Sequence, residues 1–314
     1  MDNRPTPPGS AEWAHASTDA GATEMGAMQL HDGEAARQVP LRALGQSDIR
    51  LPVLGVGTNR WGTGGRGADQ LMPVFGAALD AGANLFDTAE VYRSERPLGE
   101  CIRRDPRPIH VVTKFAPYPT RLTARSFHKA LDGSLSRLAS HGVDLYLIHF
   151  PYSLLGISRL MDGLAEIAKS GHAGAVGVSN FSARQMYAAA ARLERHGIAL
   201  AANEVRFSIF HRQPEQNGIL EACRTLDAAL IAYRPLSGGR NRPEGSALDV
   251  ALAGIARGRE TSVAQVALNW LLTKDERIIA IPGATRAEHV RDNVGAIGWT
   301  LGDDELAALE RAIP

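Results

Sequence analysis

From Val39 onward, short apolar runs alternate with longer amphipathic stretches. The runs fall at residues 53–57, 84–87, 109–115, 144–150, 174–179, 200–206, 229–234 and 278–282, and their length and boundaries suit buried strands. Between them lie segments with helical period, such as 123–140, with Leu131, Leu135 and Leu138 on one face, and 183–196, rich in Ala and Arg. Strand then helix, repeated eight times, predicts an α/β chain folded as a (β/α)8 TIM barrel. Before the first repeat, Val39–Leu44 and Ile49–Leu54 flank the turn residues Gly45-Gln46-Ser47-Asp48, which predicts a hairpin. Ser182 marks one helix start, and Ser262 with Gln265 forms the pattern of a capping box before Val266-Ala267-Leu268-Asn269-Trp270, where Trp270 reads as core. Helical stretches at 246–257 and 303–312 fall outside the eight repeats and are expected to decorate or plug the barrel.

Residues 1–38 are rich in Pro, Gly, Ala, Ser, Thr and Asp without a sustained period, so they read as a mobile tail ahead of one barrel domain at 39–314. The 314 residues suit one large barrel. Lys plus Arg and Asp plus Glu number 34 each, so no global field recruits nucleic acid or an anionic membrane. Two cysteines, Cys101 and Cys223, are too few for a disulfide framework and lack metal-ligand spacing, so they read as buried thiols and no metal site is expected. No apolar run suits a membrane span and no basic-then-apolar leader opens the chain, which makes a cytoplasmic protein the expectation. The pattern has no heptads, and a monomer is favoured.

Active sites of such barrels lie at the carboxyl ends of the strands, which gives weight to a polar residue ending an apolar run. Asp87, Lys114 and His149 each do so, and Tyr92 follows Asp87 closely. Singly, each has a structural explanation: a turn cap, a solvated strand end, a satisfied core imidazole. Together they suit proton delivery to a carbonyl oxygen. Lys114 is expected to lower the pKa of Tyr92, Asp87 to keep Lys114 charged, and His149 to orient the oxygen.

The segments Phe86-Asp87-Thr88-Ala89-Glu90-Val91-Tyr92, Thr113-Lys114-Phe115, Asp144-Leu145-Tyr146-Leu147-Ile148-His149, Gly177-Val178-Ser179-Asn180-Phe181 and Ala232-Tyr233 resemble the aldo-keto reductase superfamily from about residue 39 to the end. That resemblance implies a catalytic tetrad of Asp87, Tyr92, Lys114 and His149, and NAD(P)H extended across the barrel mouth. It also implies Ser179 and Asn180 on the nicotinamide carboxamide, Tyr233 stacked on the ring, and Pro235, Leu236, Ser237 and Gly238 around the pyrophosphate. Gly57, Thr58 and Asn59 join Asp87 on the cofactor side; the stretch Ile281, Pro282, Gly283, Ala284, Thr285 and Arg286 borders the ribose; Asp292 and Asn293 contact adenine. Arg286 and His289 suit a 2′-phosphate, so NADPH is favoured, with NADH the alternative.

Three positions depart from the family's pattern. Glu204 follows Asn203 where Gln is usual, so a carboxamide contact loses a donor or gains a charge. Arg234 replaces the usual Ser after Tyr233 and is a candidate phosphate ligand. Arg93 stands where Gly is common, which suggests a cation at the substrate mouth. The loop from Leu236 to Ser246 is short. Trp61, Tyr92, Phe115, His149 and Phe150, with Tyr152 and Phe207, are the candidates for the substrate pocket. The function implied is NAD(P)H-dependent interconversion of carbonyl and alcohol on a small molecule. The alternative is a cofactor-binding regulatory subunit with little turnover, as in the potassium-channel β subunits of the same superfamily.

Overall fold

Val, Ile, Leu and Ala dominate the eight runs, and in the computed structural model they form one parallel eight-stranded sheet. The structure describes residues 39–121, 123–152, 154, 156–237 and 245–313; the expected tail at 1–38 lies outside the described residues. Strands β1 (Leu41–Ala43) and β2 (Arg50–Pro52) form the antiparallel hairpin expected from the sequence. The barrel strands are β3 (Val56–Gly57), β4 (Leu85–Asp87), β5 (His110–Phe115), β6 (Val143–Ile148), β7 (Ala173–Ser179), β8 (Ala202–Arg206), β9 (Ala229–Tyr233) and β10 (Ile278–Ile281). They run in sequence order around the sheet, and parallel bridges Leu54 to Ala280 and Gly57 to Gly283 join the first strand to the last. Beside that seam Gly55 is required: a Cβ there would stand 2.7 Å from the Leu85 carbonyl oxygen.

Helices α1 (Ala68–Asp80), α2 (Glu95–Arg104), α3 (Ala124–Leu138), α4 (Gly156–Lys169) and α5 (Ala183–Glu194) follow the early strands. After β8 come α6 (Gln213–Gln216) and α7 (Ile219–Thr225), then α8 (Ala247–Gly258), α9 (Val263–Thr273), α10 (Ala287–Val294) and α11 (Asp303–Ala312). Ser182 caps α5 with the full reciprocal box through Gln185. At α9 only half of the expected box forms. Ser262 Oγ accepts from the Gln265 amide, but the Gln265 side chain donates instead to Asp292 Oδ1 at 2.9 Å.

Side chains alternate across each strand, and the inward set builds a second apolar cluster distinct from the sheet–helix core. Leu85, Val112, Leu145, Leu147, Ala229, Ile231 and Ile279 meet there with Leu44 and Leu51 of the hairpin, both fully buried. The hairpin is therefore the plug of the barrel, while α8 and α11 pack on each other and decorate it, with Arg259 of their neighbourhood paired to Glu305. Beyond the apolar plug, the inward positions at the carboxyl ends of the strands become polar: Asp87, Lys114, Ser179 and Glu204.

Candidate active site

Lys114 is fully buried on β5, and its outward neighbours Thr113 and Phe115 anchor the strand to α2 and α3: Thr113 donates to Glu95 at 2.6 Å and Phe115 stacks on Phe127 at 4.1 Å. Lys114 Nζ donates to the Asp87 carboxylate and, at 2.9 Å, to the Thr88 carbonyl. It also lies 3.1 Å from Glu204 Oε2 and 5.3 Å from the centre of the Tyr92 ring. Tyr92 ends a single 3-10 turn, Glu90–Tyr92, and its hydroxyl is 3.2 Å from His149 Nε2. The four residues of the expected tetrad thus converge.

Burial opposes the charge on Lys114, but Asp87 and Glu204 outweigh it and hold the ammonium protonated. Burial likewise pushes Tyr92 well above the usual phenol range; Lys114 draws it back, while Glu204 and Asp87 reinforce the rise. The expectation that Lys114 leaves Tyr92 with a lowered pKa is therefore not met. Sealing the phenol from water disfavours its ionised form by more than the one nearby ammonium favours it. His149 is pushed down to about 3 by burial and then by Lys114, so it is a neutral imidazole. Its Nδ1 is buried without a hydrogen-bond partner among the described residues. An orphaned acceptor is tolerated better than an orphaned N–H, so the proton belongs on Nε2, facing Tyr92.

Burial, then Asp87, drives Glu204 well above the ordinary carboxylate range. Burial also raises Asp87, against the Lys114 charge and the hydrogen bond it accepts from Lys114. The cluster therefore holds an ammonium, a carboxylate and a neutral acid. Ser179 Oγ donates to the Glu204 carbonyl at 2.9 Å, Asn180 Nδ2 to the His149 carbonyl at 3.0 Å, and Tyr233 Oη to Asn180 Oδ1 at 2.9 Å. This network ties the ends of β6, β7, β8 and β9. Asn180 adopts φ 62°, a left-handed conformation that Asn tolerates better than most residues.

These groups border a cavity of about 970 Å³. Its walls include Gly57, Asn59, Asp87, Tyr92, His149, Phe150, Ser179, Asn180, Glu204 and Tyr233, then Arg234, Pro235, Leu236, Ser237, Pro282, Gly283, Thr285 and His289. Other expected residues stand elsewhere. Trp61 is fully buried with Nε1 donating to the Ala284 carbonyl at 2.7 Å, which occupies both residues. Phe115 faces α3, Phe207 packs edge-on against Trp270, and Tyr152 is 79% exposed away from the cavity. Thr58 is buried against the Asp87 carbonyl and Ser94. Arg286 pairs with His289 and Glu288, Asp292 holds Gln265, and Asn293 is buried on α10; none of the three lines the cavity. Gly238 and most of the loop from Leu236 to Ser246 lie outside the described residues.

Arg93 brings no cation to the mouth: it is exposed, lies outside the walls and has φ 61°. That left-handed backbone is the physical reason for a glycine preference at this position. Ile281 lines the cavity as well, and the walls also include Arg60, Val91, Arg206, Phe210, Val263, Ala264 and Ala267, which were not expected. Arg206 was recoverable, since it stands two residues beyond Glu204 on the same strand and so faces the same way. Val263, Ala264 and Ala267 share one face of the first turns of α9.

The cavity fits an extended dinucleotide. It runs from the Tyr92–His149 pair to Thr285 and His289, and two of its wall residues, Glu204 and Arg206, carry a buried polar atom (Oε2 and Nε) with no hydrogen-bond partner among the described residues. The model of the Aldo/keto reductase family matches residues 53–314. The chain belongs to that family. Among its aldo/keto reductase relatives, the chloroplastic pyridoxal reductase of Arabidopsis thaliana is 34% identical over 316 residues, covering 87% of this chain and 86% of the relative. The 6-dehydroglucose reductase of Novosphingobium aromaticivorans is 30% identical, covering 83% and 92%. An aldo/keto reductase from Klebsiella pneumoniae, solved with NADP and acetate, superposes with a TM-score of 0.78 at 28% identity, covering 87% of this chain and 95% of that one. No described helix is long and apolar enough to cross a membrane.

Proposed function

We infer that this chain reduces a carbonyl group of a small polar molecule with NADPH, using Tyr92 as the proton donor. It is an NAD(P)H-dependent oxidoreductase, and the observation that carries the residue assignment is the 3.2 Å contact of Tyr92 Oη with His149 Nε2 beside the buried Asp87–Lys114 pair. The bound nicotinamide supplies a hydride to the carbonyl carbon. His149, neutral with its proton on Nε2, donates a hydrogen bond to the carbonyl oxygen and fixes it beside Tyr92. Tyr92 is a full phenol throughout the physiological range, so its proton is present when the oxygen gains negative charge. An alkoxide is a far stronger base than a phenolate, and the phenolate left behind is stabilised by Lys114. Asp87 keeps Lys114 charged and in place.

Ser179, Asn180 and Glu204 hold the carboxamide end of the cofactor, and Tyr233 offers the ring face. Arg234, Pro235, Leu236 and Ser237 hold the phosphates, while His289 with Arg286 beside it takes the 2′-phosphate that favours NADPH. The relatives named for pyridoxal and for a dehydrogenated sugar support a polar carbonyl substrate. The test is NADPH oxidation with 4-nitrobenzaldehyde, pyridoxal and keto sugars. Turnover of at least one class is expected; tight cofactor binding without turnover of any would contradict the assignment.

A further inference from the structure

Tyr92 and Lys114 need only Asp87 as counter-charge, yet the cluster contains a second carboxyl group. Glu204 is 1% exposed and lines the cavity. The titratable and charged groups facing it are Asp87 from β4, Lys114 from β5, Tyr92 from the 3-10 turn and Tyr233 from β9. His149 from β6 and Arg206 from its own strand line the same end of the cavity. Two carboxylates and one ammonium sealed from water would leave a negative charge uncompensated, so one carboxyl keeps its proton. Lys114 gives its hydrogen bond to Asp87, which keeps Asp87 the carboxylate and puts that proton on Glu204. Glu204 Oε2 lies 3.1 Å from Lys114 Nζ and has no other polar partner among the described residues.

For its hydride to reach a carbonyl held between Tyr92 and His149, the nicotinamide ring must occupy this end of the cavity. The reduced ring is uncharged and the oxidised ring is cationic. We propose that Glu204 is a proton-linked positioning residue that distinguishes the two redox states, remaining the neutral acid beside the reduced ring and ionising beside the cationic one. The inference rests on reading the cavity as the nicotinamide site. The only bond broken is the Glu204 O–H, and its proton passes to solvent as the oxidised cofactor binds. Coulomb attraction between the new carboxylate and the ring cation then strengthens binding of the oxidised form, increasingly so as pH rises. The 2′-phosphate titrates equally in both cofactors and cancels from their ratio.

The experiment measures dissociation constants of NADP+ and NADPH on the full chain from about pH 7 to about pH 10, for wild type and Glu204→Gln. Isothermal titrations in buffers of different ionisation heat count the protons released. In wild type the preference for NADP+ over NADPH should rise by up to ~tenfold per pH unit, with NADP+ releasing up to about one more proton than NADPH. In Glu204→Gln the ratio should be flat and the difference in proton release should vanish. A flat ratio in wild type, or the same slope in Glu204→Gln, overturns the proposal while leaving the cofactor site intact. Failure of either nucleotide to bind wild type overturns the cofactor reading itself. If Glu204→Gln does not fold, the wild-type proton count decides alone: no excess release with NADP+ overturns the proposal.

Discussion

Asp87 and Lys114 form the charge pair on which the proton donor depends, and both are sealed from water. Removing one partner of such a pair strands the other, so Lys114→Met should cost about 3 to 5 kcal/mol in urea unfolding. Adding Asp87→Asn to that variant should recover part of the loss; a second, additive loss would contradict the pairing. At the cofactor's far end, Arg286→Ala and His289→Ala should each weaken NADPH by roughly tenfold with little effect on NADH, read by fluorescence titration. Equal weakening of both would remove these residues from 2′-phosphate recognition. The tetrad was legible because each member ends or closely follows an apolar strand. The state of Glu204 was not, because its protonation depends on three strands meeting in space. Trp61 and Phe115 were misread because aromatic character does not reveal which side of a barrel wall a ring occupies.

The single turn that carries Tyr92 closes on the Tyr92 N–H donating to the Ala89 carbonyl at 3.0 Å, and it is packed closely from outside. Gly62 packs against it so tightly that a Cβ would fall 2.0 Å from the Tyr92 carbonyl oxygen and 2.6 Å from the Arg93 carbonyl carbon. Gly62→Ala must therefore displace the turn. A shift of about 1 Å in the donor costs ~100-fold in turnover, so kcat should fall by that order while NADPH affinity changes little. Wild-type kcat in Gly62→Ala would show that the turn does not set the donor's position. At this scale the alternation of strand and helix, the hairpin and the start of α5 at Ser182 were readable from local pattern. The destination of the Gln265 side chain was not: a partner 27 residues away, Asp292, competes with the cap.

Across the whole molecule, a barrel with an apolar plug at one end concentrates its buried ionisable groups at the other, and its stability inherits their titration. His149 is neutral in the fold, at about 3 against an ordinary 6.5, so between those values the unfolded chain binds a proton that the native one refuses. Its contribution is fully present above pH 6.5 and is lost as pH falls toward about 3. Glu204, raised in the fold, contributes the opposite slope and loses stability as pH rises. In urea unfolding, His149→Leu should therefore lose less stability than wild type between about pH 7 and about pH 5. An unchanged slope would show that His149 is not held neutral. The pattern along the chain conveyed this architecture, but not the depth at which each inward polar group sits. The central claim is that Tyr92 supplies the proton, and single-turnover reduction of a reactive aldehyde by preformed NADPH complexes of wild type and Tyr92→Phe tests it most directly. The variant should bind NADPH and lose at least about 100-fold in the hydride-transfer rate; a rate within a few fold of wild type would rule Tyr92 out as the donor.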